Sequence, residues 1–164
     1  MEYKSAKAYP PVAVQGKNAA YAREMLSNMG GIHSEMTAVA SYFYNHLVTR
    51  PDYAEVSDVF RRISMVEMHH MEIFGQLAVL LGADPRLWAF RQGQTRYWSP
   101  CCAGYSRELR PLLRSALQGE LAAIRQYRYQ AQTIRDDGIT AMLGRIIEDE
   151  EMHVAVFEEL LAQY

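Results

Sequence analysis

Only two cysteines occur in the 164 residues, and they are neighbours, Cys101 and Cys102. Adjacent thiols cannot staple distant parts of a fold, which excludes a disulfide framework. The pair reads as two free thiols in a loop rather than a redox or metal-binding site. Charge of one sign is also lacking: the formal net charge of −2 gives no reason to expect nucleic acid or an anionic membrane as partner. No apolar run approaches a membrane span, and the opening Met-Glu-Tyr-Lys-Ser-Ala-Lys has no apolar signal core, so a cytoplasmic protein is expected. Strand-like alternation is absent as well, which points to an all-α fold. What is present is 49% apolar and 22% charged residues, enough for one domain with a sizeable core.

Punctuation divides the chain. Tyr9-Pro10-Pro11 and Gly16 suit an extended arm, and a short lead-in helix is expected from Asn18 to Met29, so residues 1–29 form an arm and lead-in before a bundle at 30–164. A long helical pattern runs from about Ile32 to Leu47. After the turn Thr49-Arg50-Pro51-Asp52, with Asp52 and Glu55 spaced as a capping box, a second runs to Leu81, where Gly82 caps it and Pro85 forbids continuation. Residues 83–105 show no clear period. A third helix starts between Ser106 and Pro111 and ends near Arg135; a fourth follows the turn Asp136-Asp137-Gly138 and reaches about Ala162. Two short turns and one long connector predict a four-helix bundle with a single crossover between helices 2 and 3.

The bundle is two copies of one hairpin. Glu35-Met-Thr-Ala-Val-Ala-Ser-Tyr42 aligns with Glu120-Leu-Ala-Ala-Ile-Arg-Gln-Tyr127. Ile63, Glu67, His70, Phe74 and Leu77 align with Ile146, Glu150, His153, Phe157 and Leu160, so a Glu-x-x-His pair recurs in register. Such a spacing puts both side chains on one helix face. Glu35 and Glu67 are equidistant from Pro51, and Glu120 and Glu150 from Arg135, which sets each pair level in its hairpin, about 23 Å from the turn. Apolar neighbours (Ile32, Val39 and Tyr42 around Glu35, Ile63 and Phe74 around Glu67) point these residues inward. Four carboxylates buried together without a cation cost far more than a small domain's stability. Two divalent metal ions per chain balance them, and oxygen-rich ligation with two imidazoles suits iron, the first choice, or manganese.

On these residues the chain resembles the ferritin-like superfamily over 30–162, in particular rubrerythrin-type and manganese-catalase-type domains. The motifs are Glu35, Glu67-Met-His-His70 leading into Leu81-Gly82-Ala83-Asp84-Pro85, Glu120, and Asp149-Glu150-Glu151-Met152-His153. The resemblance implies that Glu67 and Glu150 bridge the metals, with Glu35 and His70 terminal on one ion and Glu120 and His153 on the other. It departs from rubrerythrins at Ala123, where they carry a further carboxylate, and in having no rubredoxin domain. The implied activity is reduction of hydrogen peroxide or dioxygen by an electron donor outside the chain, probed against manganese-catalase-like disproportionation and ferritin-type iron storage. A homodimer is the expected assembly.

Tyr42 and Tyr127 follow their glutamates by seven residues, and helical side chains lean toward the N-terminus, so each hydroxyl reaches back toward a ligand carboxylate. His46 lies too far along its helix to ligate, and His33 and His69 read as surface residues. Met36, Met65, Met68, Met71 and Met152 read as core filler. The aromatic Trp88–Trp98 connector covers either the bundle or an interface.

Overall fold

The computed structural model describes residues 2–91 and 93–164. Five helices carry the fold: α1 (Ala19–Gly30), α2 (Glu35–Thr49), α3 (Ala54–Leu80), α4 (Leu109–Thr133) and α5 (Asp137–Gln163). Helices α2 to α5 form the bundle, paired as hairpins α2–α3 and α4–α5, and α1 lies against α3. Caps set the starts of three helices. Asn18 Oδ1 accepts from the amides of Ala20 and Tyr21, Ser34 from Thr37, and Asp136 from Gly138 and Ile139. At the end of α3, Gly82 takes the left-handed φ of 95° expected of a glycine that stops a helix.

The core has two apolar layers. One gathers Met25, Met29, Phe74, Leu77, Ile139, Met142 and Ile146; the other gathers Phe60, Ile63, Leu113, Phe157 and Leu160. On α3 the step from Ile63 to Phe74 passes from one layer to the other, and on α5 the step from Ile146 to Phe157 does the same. Both steps cross a Glu-x-x-His pair, so a polar layer is sandwiched between two oily ones.

Four expectations are corrected. The connector holds an antiparallel hairpin, β1 (Trp88–Arg91) with β2 (Gln94–Tyr97), turned at Gly93 with φ 76°. Four-residue strands are too short to establish a period of two. The hairpin covers the bundle: Trp88 packs on the first apolar layer and Trp98 Nε1 donates to Thr37 Oγ1 at 2.9 Å. The capping box does not form, because α3 starts at Ala54 with Tyr53 as its cap and no side-chain bond. Helix α2 begins at Glu35 instead of Ile32, leaving Ile32 45% exposed and outside the inward stripe. Met65 and Met68 are not core filler, being 61% and 52% exposed on the outer face of α3.

Candidate metal centre

Glu35, Glu67, His70, Glu120, Glu150 and His153 converge in the polar layer, none more than 3% exposed. They form two overlapping clusters. Glu35, Glu67, His70 and Glu150 each bring one ligand atom within 4.8 Å of the others, and so do Glu67, Glu120, Glu150 and His153. Glu67 and Glu150 belong to both. His70 Nδ1 lies 3.0 Å from Glu67 Oε2 and 3.2 Å from Glu150 Oε1, and His153 Nδ1 lies 3.0 Å from Glu150 Oε2 and 3.1 Å from Glu67 Oε1. Despite those approaches, Glu67 Oε1 and Glu150 Oε1 have no hydrogen-bond donor in acceptable geometry. Two undonated carboxylate oxygens at the overlap of two clusters fit divalent cations, as does a set of four carboxylates and two imidazoles.

Charge is shared unequally among the six. Burial, then the neighbouring Glu67 and Glu150, push Glu35 and Glu120 well above the usual carboxylate range. Burial works against ionisation of Glu67 and Glu150 too, but the two histidines outweigh it and hold both carboxyls low. Burial would likewise depress the histidines; instead Glu150 and Asp149 at His70, and Glu67 with Glu120 and Glu150 at His153, raise both well above the ordinary imidazole value. The shifts therefore run in complementary senses: the shared glutamates favour their ionised form beside histidines that favour protonation, while the outer glutamates are pushed towards their neutral form.

Both tyrosines reach the outer glutamates, and they do so crosswise. The Tyr42 hydroxyl donates to Glu120 Oε1 and the Tyr127 hydroxyl to Glu35 Oε1, each spanning from one hairpin to the other. Burial and the accepting carboxylate raise both phenols well above their usual value. His46 sits on Ser57, 3.0 Å from its carbonyl, and His33 and His69 are exposed. Cys101 and Cys102 are free. A cavity of about 500 Å³ between α2 and α4 reaches Glu35, Glu120, Tyr42 and Tyr127 past the small side chains of Ala38 and Ala116.

Sequence reasoning gave Asp149, Arg145 and the extended arm no role at the site. Asp149 Oδ2 is 3.2 Å from His70 Nε2 and accepts from the Tyr9 hydroxyl, while Asp149 Oδ1 accepts from Arg145 Nη1 at 2.6 Å. Burial opposes its charge, but hydrogen bonds from His70, Tyr9, Ser5 and Arg145 bring Asp149 down to about 2. Burial first, with Asp149 beside it, pushes Tyr9 up to about 12. A signal did exist: Asp149 stands where the first half of the repeat has Val66.

Among solved structures, a manganese catalase from Anabaena superposes with a TM-score of 0.85 at 19% identity, covering 99% of this chain and 80% of its own. At that identity the likeness is one of fold. A bacterioferritin from Rhodobacter capsulatus, described with a metal-free dinuclear site and haem iron, matches with a TM-score of 0.70 at 25% identity over 90% of this chain and 88% of its own. No curated protein matches the chain by sequence. The family model of the ferritin-like domain matches residues 31–164, and the chain belongs to that family.

Proposed function

We propose that this chain is a dimetal-carboxylate oxidoreductase that reduces hydrogen peroxide or dioxygen, holding two ions of iron or manganese. The observation that carries this reading is the pair of four-residue clusters sharing Glu67 and Glu150 beside a cavity. Glu67 and Glu150 would bridge the ions. Glu35 with His70, and Glu120 with His153, would complete the two positions. Bound there, such ions supply two one-electron changes, the number that O–O cleavage takes.

The protein's own part is placement and proton control. Ala38 and Ala116 keep the α2–α4 cavity open to a small polar reactant on the side of Glu35 and Glu120. Tyr42 and Tyr127 fix the outer glutamates and keep their phenolic protons at the Oε1 atoms. Both cysteines lie together in the connector, so reducing equivalents are assigned to a donor outside the chain. Phe43, Leu47, Met65 and Met68, apolar and exposed on the outer face of α2 and α3, support a homodimer.

A second reading, disproportionation of peroxide on manganese, is favoured by the fold likeness that takes in 99% of this chain, arm included. One experiment separates the two. Metal-replete protein should contain about two ions per chain, and its reduced iron form should consume one equivalent of hydrogen peroxide, then stop until a reductant is added. Sustained dioxygen release by the manganese form without a donor would replace the first reading with the second. Well under one ion per chain would sink both. Size-exclusion chromatography showing a closed shell of many subunits would favour iron storage instead.

A further inference from the structure

The centre has two unlike sides. Glu35 and Glu120 face the cavity, whereas the outer nitrogens of both imidazoles face the N-terminal arm, and what they meet there differs. His70 Nε2 lies 3.2 Å from Asp149 Oδ2 and 3.2 Å from the Tyr9 hydroxyl. His153 Nε2 lies 2.8 Å from the main-chain carbonyl of Tyr3. One imidazole is backed by a carboxylate, the other by an uncharged carbonyl.

The internal repeat explains why the arm is needed. Val66 precedes Glu67 where Asp149 precedes Glu150, so the first half offers no carboxylate to His153. The Tyr3 carbonyl takes that place. Its path is held two residues away, where Arg145 Nη2 donates to Ser5 O at 2.9 Å and the Ser5 amide donates to Asp149 Oδ1 at 2.6 Å. Arg145 Nε donates to Lys7 O at 2.9 Å, and its guanidinium lies 4.1 Å over the Tyr9 ring. The exposed pair of Lys7 with Glu148 adds little.

The hydrogen bonds dictate ring chemistry. A carbonyl only accepts, so Nε2 of His153 carries a hydrogen, and the lone pair of the neutral ring falls on Nδ1, the nitrogen facing Glu67 and Glu150. The carboxylate behind His70 enforces the same tautomer and adds negative charge, which strengthens that ring as a donor.

We propose that the N-terminal arm is a positioning element of the metal centre: the Tyr3 carbonyl sets His153, Tyr9 with Asp149 sets His70, and the carbonyl–carboxylate difference makes the His70 position the tighter of two unequal divalent-cation sites. This rests on the dimetal reading above. The test is titration of the metal-free protein with Mn(II) by calorimetry and with Co(II) by visible absorption. The wild type should bind two ions in two resolved steps. Tyr9→Phe should weaken the tighter step about tenfold and leave the other, consistent with the effect of removing a bond behind a ligating histidine. Tyr3→Gly, which frees the main chain from the packing of the Tyr3 ring over Arg62, should weaken only the looser step. Asp149→Asn should draw the two steps together. Equal affinities in the wild type, or variants that weaken both steps alike in proportion to a lowered melting temperature, would overturn the role of the arm while leaving the centre intact. No binding by the wild type would overturn the dimetal reading and this inference with it.

Discussion

Tyr42 and Tyr127 show how single side chains join the two halves of this molecule. Each belongs to the helix of one outer glutamate and donates to the other, so neither carboxylate is oriented by its own hairpin alone. Removing a hydroxyl leaves a buried carboxylate oxygen without its donor, a loss of about 1–3 kcal/mol, or roughly five- to 150-fold in an affinity that depends on that oxygen. Tyr42→Phe should therefore speed release of the ion beside Glu120, and Tyr127→Phe that of the ion beside Glu35. Release to a chelator, followed for each position, checks this. Acceleration of the same-helix position instead would mean that the hydroxyls do not act through the bonds described.

At the scale of elements, helix positions and the common level of the four glutamates were legible in the sequence because they rest on repetition. Ile63-x-x-x-Glu67-x-x-His70 recurs 83 residues later with the same apolar flanks, and counting from Pro51 and Arg135 places the glutamates level without any structure. Elements that rest on non-local contacts were not legible. The arm has no period of its own, and its role appears only when Tyr3 and Tyr9 lie across α3 and α5. Gly138 illustrates the same limit. It reads as part of a turn, yet it is helical, and a Cβ there would sit 2.2 Å from the Ala13 carbonyl oxygen, because the arm crosses the start of α5 at backbone contact. Gly138→Ala should thus cost about 1–3 kcal/mol as the arm is pushed away. Gly144→Ala, in the same helix with open space around it, should gain about 0.5–1 kcal/mol from backbone entropy. Thermal melts of the two variants check the contrast, and equal effects would remove the close-approach argument.

For the whole molecule, the polar layer ties stability to protons and cations. In the metal-free fold Glu35 and Glu120 hold protons that an unfolded chain releases above the ordinary carboxyl value of 4.5, so their contribution is lost as the pH rises from there. His70 and His153, held above 6.5, contribute stability that is full below that value and lost as the pH rises through their folded values. Glu67 and Glu150 act in the opposite sense, with stability present above 4.5 and lost on further acidification. The metal-free protein should be most stable near pH 4.5, and its melting temperature should fall as the pH rises from there to about pH 8, more steeply once the histidines contribute above 6.5. On the dimetal reading, divalent ions should reverse the trend, because their binding competes with protons on the histidines and outer glutamates and so strengthens as the pH rises. Each ion adds about 4 kcal/mol when its free concentration exceeds its Kd a thousandfold. The metal-loaded melting temperature should hold or rise over the same interval, so the two curves diverge with pH. A metal-free melting temperature that climbs steadily from about pH 5 to pH 8 would contradict the burial of four carboxylates in one layer.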